Sequence, residues 1–219
     1  MTVQDWVIRK ALEGTDHKVK RVGPHGFIVM RTDLPEVRAY CPEPSEVNPF
    51  SPDDLQQACE ELSGLEYVVV VKRTIANATY PLADELEIGI GSMPNFASAV
   101  AHLPSVAQYR TTEQKYVWQR LTGNRYVEQV RRCGESAYEI TRKAWFRTLR
   151  IVTVAKYELT SDEVYNLVKR HSELNLDAIV ITNPSCQQPS PEATEAASAA
   201  GTQITTFREF QNRLGAEWT

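Results

Sequence analysis

The chain has 219 residues, of which 42% are hydrophobic and 24% charged, an ordinary balance for a globular protein of one large domain or two small ones. No apolar run approaches the roughly 20 residues that cross a bilayer. The opening Met1-Thr2-Val3-Gln4-Asp5-Trp6 lacks the basic and then apolar regions of a signal peptide, so a cytoplasmic protein without a membrane partner is expected.

In chain order, residues 5–13 predict a short amphipathic helix with Trp6, Val7, Ile8, Ala11 and Leu12 on its apolar side and Gly14 as its stop. Three short strands follow, at 17–22, 27–31 and 36–41. The turns Gly23-Pro24-His25-Gly26 and Thr32-Asp33-Leu34-Pro35 join them into an antiparallel meander. Ser51-Pro52-Asp53-Asp54 opens a second helix reaching about Leu62, and residues 67–71 read as a strand buried on both faces. These elements predict a first α/β unit over 1–74. Residues 75–108 read as an irregular connecting segment, with a strand at 86–90 and a short helix at 95–102. Its Gly89-Ile90-Gly91 lacks the third glycine and the strand–turn–helix setting of a dinucleotide site. The cysteines Cys41, Cys59, Cys133 and Cys186 are far apart and form no Cys-x-x-Cys pair, so free thiols are expected. The four histidines show no metal-ligand spacing.

The net charge of −4 conceals a segregation. Residues 1–108 hold 9 Lys and Arg against 15 Asp and Glu, residues 109–150 hold 10 against 4, and residues 151–219 hold 5 against 9. The basic middle predicts a helix at 112–121 and a second at 125–133, then a strand around Tyr138 and Ile140 or a continued helix. Arg142, Lys143, Arg147 and Arg150 surround Trp145 and Phe146. Arginine gives bidentate phosphate contacts and aromatic rings offer stacking surfaces, so Arg125, Arg131, Arg132, Arg142, Lys143 and Arg147 are the expected nucleic-acid-binding set.

The last third alternates strands (149–157, 178–182, 203–207) with helices (161–171, 191–200, 208–214), which argues for a parallel sheet covered on both faces. Its joins carry local signals: capping boxes at Thr160/Glu163 and Thr206/Glu209, Ser190 ahead of a first-turn Pro191, and Gly201 as a helix stop. No internal repeat is apparent.

This stretch resembles the catalytic half of Mrr-like restriction endonucleases. The resemblance rests on the strand 151–157 ending in Lys156, the helix after it, Ala178-Ile179-Val180-Ile181-Thr182-Asn183, and the Ala-rich helix closing on Gly201-Thr202-Gln203-Ile204. It covers about 75 residues. It implies that 109–219 is a basic helical segment followed by a restriction-endonuclease-like α/β domain, with Lys156 in the place of the lysine that polarises the scissile phosphate. Glu139 stands as the candidate metal-binding acid and Mg²⁺ as the cofactor if catalysis is retained. The family's acid-or-amide position, two before the lysine, falls on Val154.

The expected fold is therefore α/β, a mixed sheet flanked by helices with a smaller α/β unit before it. The expected function is a nucleic-acid-binding protein, DNA or RNA, on a restriction-endonuclease-like scaffold, a weak or inactive nuclease of DNA processing or defence. The alternative is a non-enzymatic α/β interaction subunit that docks an acidic protein or pairs with its own kind.

Overall fold

The computed structural model describes residues 2–143 and 145–218, which divide into two compact units, Met1–Thr111 and Thr112–Thr219. In unit 1, helix α1 (Val3–Leu12) precedes strands β1 (Lys18–Val22), β2 (Gly26–Met30) and β3 (Val37–Tyr40). Strand β4 (Ser45–Phe50), α2 (Pro52–Glu61), β5 (Tyr67–Val69), β6 (Arg73–Ile75), α3 (Thr79–Glu85), β7 (Gly89–Gly91) and α4 (Met93–His102) follow. The sheet order is β1-β2-β3-β5-β7, antiparallel through β3 and parallel beyond it. Strands β4 and β6 pair separately as a two-stranded parallel ribbon. Side-chain alternation sends Tyr67 and Val69 to one core, with Val7 and Phe96, and Val68 and Val70 to the other, with Leu55 and Ala83. Each face of the sheet thus carries a pair of helices.

Unit 2 opens with α5 (Thr112–Thr122). Strands β8 (Val127–Arg132), β9 (Ala137–Arg142) and β10 (Leu149–Val154) form its meander. Then come α6 (Ser161–Arg170), β11 (Ala178–Ile181), α7 (Pro191–Ala199), β12 (Gln203–Thr206) and α8 (Phe207–Arg213). The order is β12-β11-β10-β9-β8, parallel from β12 to β10 and antiparallel from β10 to β8. Strand β11 is interior and apolar on both faces: Ala178 and Val180 meet the core of α5 and α8, while Ile179 and Ile181 meet that of α6 and α7.

Three expectations are corrected. Residues 75–108 are no irregular connector: α3, β7 and α4 complete the sheet and both cores of unit 1. The glycines of Gly89-Ile90-Gly91 serve packing, since a Cβ on Gly89 would stand 2.4 Å from the Tyr67 ring. The helix expected at 125–133 is strand β8. An extra residue, Glu128, bulges between the pairs Val127↔Arg142 and Gln129↔Thr141, so Val127 and Val130 both face inward at a three-residue spacing that imitates a helix. The strand expected over 149–157 ends at Val154.

A fourth correction concerns repetition. Setting aside β4 and β6, both units run α-β-β-β-α-β-α-β-α with the same strand order and directions. Equivalent side chains do equivalent work. A glutamine in the first turn of the opening helix donates to the carbonyl at the entry to the second strand, Gln4 to Gly26 at 3.0 Å and Gln114 to Glu135 at 2.8 Å. A buried arginine at the end of the second strand donates through Nε to the next turn, Arg31 to Pro35 O and Arg142 to Arg147 O. Its Nη1 reaches carbonyls at the end of the last helix, Val100 and Leu103 in one unit, Leu214 and Ala216 in the other. An acid before the fourth strand accepts from the backbone N–H of an arginine on the third, Glu66 from Arg38 and Asp177 from Arg150. Left-handed residues recur at matching turns: Gly64 and Asn175, then Glu87 and Gly201.

Candidate functional site

Glu139 and Lys156 do not meet. Glu139 is opposite Arg150 in the β9–β10 register, and Lys156 lies six residues further along the chain, past the other end of β10, roughly 20 Å away at about 3.3 Å per residue. Each has other partners. Glu139 accepts from Arg131 at 2.7 Å and Arg150 at 3.0 Å. Burial pushes its carboxyl up, but the hydrogen bonds and charges of those two arginines outweigh it and hold the group below the usual carboxylate range. Lys156 Nζ is 3.0 Å from Glu163, the acid of the α6 capping box. Glu163 is held low first by the Thr160 backbone N–H and then by Lys156. Mg²⁺ needs free oxygen ligands, and a carboxylate already shared by two guanidiniums does not fit that requirement. Among the described residues no group of three or more His, Cys, Asp or Glu is placed to hold a metal ion.

The expected basic face is also dispersed. Arg132 and Arg142 are buried, and Arg142 is spent on the carbonyls at the end of α8. Arg131 is tied to Glu139, and Arg147 donates to Asp177 at 2.5 Å and to Trp218 O at 3.3 Å. Tyr138, expected beside these cations, is a core residue. Arg125 and Lys143 remain exposed at one end of the meander, where Lys143 N–H donates to Tyr126 O at 2.8 Å. Trp145 is there too, 96% exposed.

At the carboxyl ends of the parallel strands, where α/β sheets commonly hold ligands, unit 2 collects polar groups that had not been brought together from the sequence. Thr182 Oγ1 donates to Glu113 at 2.7 Å, Gln114 holds the Glu135 carbonyl, and Glu135 pairs with Arg170 at 3.2 Å. A shallow groove of about 220 Å³ runs beside them between Val154, Lys156, Glu163 and Arg170. The signal for Glu135 was available: once 127–132 is a strand, residues 133–136 are a hairpin turn that delivers Glu135 to the end of β10. Cys186 is free and half-buried in the loop after β11. Burial raises the Cys41 thiol to about 12 and Cys133 to about 11, so neither is a nucleophile near neutral pH.

Compared with protein-family models, with curated proteins and with solved structures, the chain gives no match.

Proposed function

We propose that this protein acts by binding rather than by catalysis, on a scaffold of the restriction-endonuclease-like kind, and that its partner is an acidic macromolecule. The observation that carries the first half is the separation of Glu139 from Lys156, each neutralised by its own partners at opposite ends of β10. The scaffold reading is supported by the strand–helix–strand–helix–strand order of 149–206 with all three strands parallel. The partner's charge is argued from the exposed Arg125 and Lys143 at one end of the meander. It is argued too from unit 2 as a whole, which holds 14 Lys and Arg against 13 Asp and Glu, where unit 1 holds 10 against 15.

The test is to incubate the full chain with single- and double-stranded DNA and RNA in Mg²⁺ or Mn²⁺. Intact substrate is expected, with no metal-dependent rise in Tm. Cleavage that disappears in Lys156→Ala would overturn the reading.

A further inference from the structure

The internal repeat shows which parts of unit 2 its fold requires and which are additions. In each unit the buried arginine at the end of the second strand is anchored to the turn that follows. Unit 1 closes this turn at Pro35, four residues after Arg31, through Thr32-Asp33-Leu34. Unit 2 takes one residue more, from Arg142 to Arg147, and places Lys143, Trp145, Phe146 and Arg147 there. The fold's need, a carbonyl for the arginine Nε, is met equally by both turns. The aromatic and basic side chains are surplus to it.

Their placement has a consistent chemistry. The Trp145 indole is 96% exposed and so leaves its ring faces to solvent. An exposed indole keeps a large, rigid π-face open to a stacking partner. Phe146 is held by the Arg142 guanidinium, 5.0 Å from its ring centre. Lys143 is bonded through its backbone to Tyr126. The neighbouring Arg125 lies 4.7 Å from the Tyr126 ring with its Nη2 donating to the hydroxyl at 2.7 Å, so it stands braced and exposed. Arg147 is neutralised by Asp177. That leaves two exposed cations, Arg125 and Lys143, at this end of the meander with one open indole.

We infer that the β9–β10 tip, Trp145 with Lys143 and Arg125, is a docking site for single-stranded nucleic acid, with a base stacked on Trp145 and its flanking phosphates on the two cations. This names the acidic partner of the reading above and rests on it. A flexible strand offers both a π-face and a regular phosphate charge, which is what an exposed ring between cations matches. In a duplex the bases are already stacked on one another, so the indole gains nothing there. Ribose and deoxyribose strands share this chemistry.

The test is fluorescence anisotropy of labelled twelve-nucleotide oligo-dT and oligo-U with the full chain at about 50 mM salt. The wild type should bind both strands and should prefer either to a twelve-base-pair duplex. Trp145→Ala should weaken binding about tenfold or more, and Trp145→Phe should restore most of the loss. Arg125→Ala/Lys143→Ala should flatten the log–log salt slope by about 1.4, from two lost single-strand phosphate contacts. All three positions are exposed, and the circular dichroism of each variant should match the wild type. No binding by the wild type, equal binding by Trp145→Ala, or preference for the duplex would each overturn the inference. So would binding of polyglutamate in place of the oligonucleotides. Cleavage of the oligonucleotide would instead sink the non-catalytic reading and leave the tip standing.

Discussion

Glu87 occupies a left-handed backbone position, φ +56°, where the matching turn of unit 2 has Gly201 at φ +70°. In both turns the left-handed residue lets the chain fold back so that the next N–H bonds a helix carbonyl, Ile88 to Ala83 at 2.8 Å and Thr202 to Ala197 at 3.0 Å. A Cβ costs about 1–2 kcal/mol in this conformation. Glu87→Gly should therefore raise stability by roughly 0.5–1 kcal/mol, after allowing for the greater freedom glycine has in the unfolded chain. Gly201→Ala should lower it by about 1 kcal/mol, and urea denaturation of the two variants would check both signs. His171 makes a second prediction at this scale. Burial, and then the charge of Arg170, pull its imidazole down to about 4. The unfolded chain, with an ordinary histidine near 6.5, binds the proton first as pH falls. Stability from this group is thus complete above about 6.5 and is lost progressively as pH falls toward 4, by up to roughly 3 kcal/mol. His171→Gln should flatten the stability profile across that window. An unchanged slope would show that carboxylates dominate it.

At the scale of elements, what the sequence revealed and what it hid divide by distance along the chain. The capping boxes at Thr160/Glu163 and Thr206/Glu209 and the Ser190 cap were legible because each involves residues three apart, and the structure has all of them. Strand β8 was not, because a single bulged residue shifted its valines into helical spacing. The arginines were not legible either: Arg142 finds its carbonyls more than 70 residues away, and Arg147 finds Asp177 30 away. Basic density in a segment reports charge, and only the fold decides how much of it is left over for a partner. Arg142→Lys should cost about 2–3 kcal/mol by urea denaturation. One ammonium cannot replace a planar fork that serves three carbonyls, and an unmet buried carbonyl carries its full desolvation penalty. A loss under about 0.5 kcal/mol would show that water can take the guanidinium's place. Val180→Asp, on a strand covered on both faces, should cost on the order of 4 kcal/mol. A soluble, cooperatively folding variant would contradict the placement of β11.

For the whole molecule, the repeated plan escaped the sequence because the units share roles more than residues. Leu65-Glu66-Tyr67-Val68-Val69-Val70 and Leu176-Asp177-Ala178-Ile179-Val180-Ile181 have one pattern, a leucine, an acid and four core positions, but only the leucine and the valine at Val69 and Val180 in common. The inserted ribbon of β4 and β6 also broke the spacing, which is why 75–108 looked shapeless. Two like sheets in one chain carry a hazard during folding: an edge strand of one can pair with the wrong sheet. The outer strands answer it differently. Strand β1 exposes Lys18, Lys20 and Arg21 along its length, whereas β8 relies on the bulge at Glu128 and the charge of Arg131. An edge guarded by charge and an edge guarded by shape refuse each other as readily as they refuse strangers. The divergence that hid the repeat would then also keep its halves from being confused while the chain folds. A chain whose residues 1–111 are replaced by a second 112–219 should accordingly refold in lower yield than the natural one, with the missing fraction recovered as aggregate.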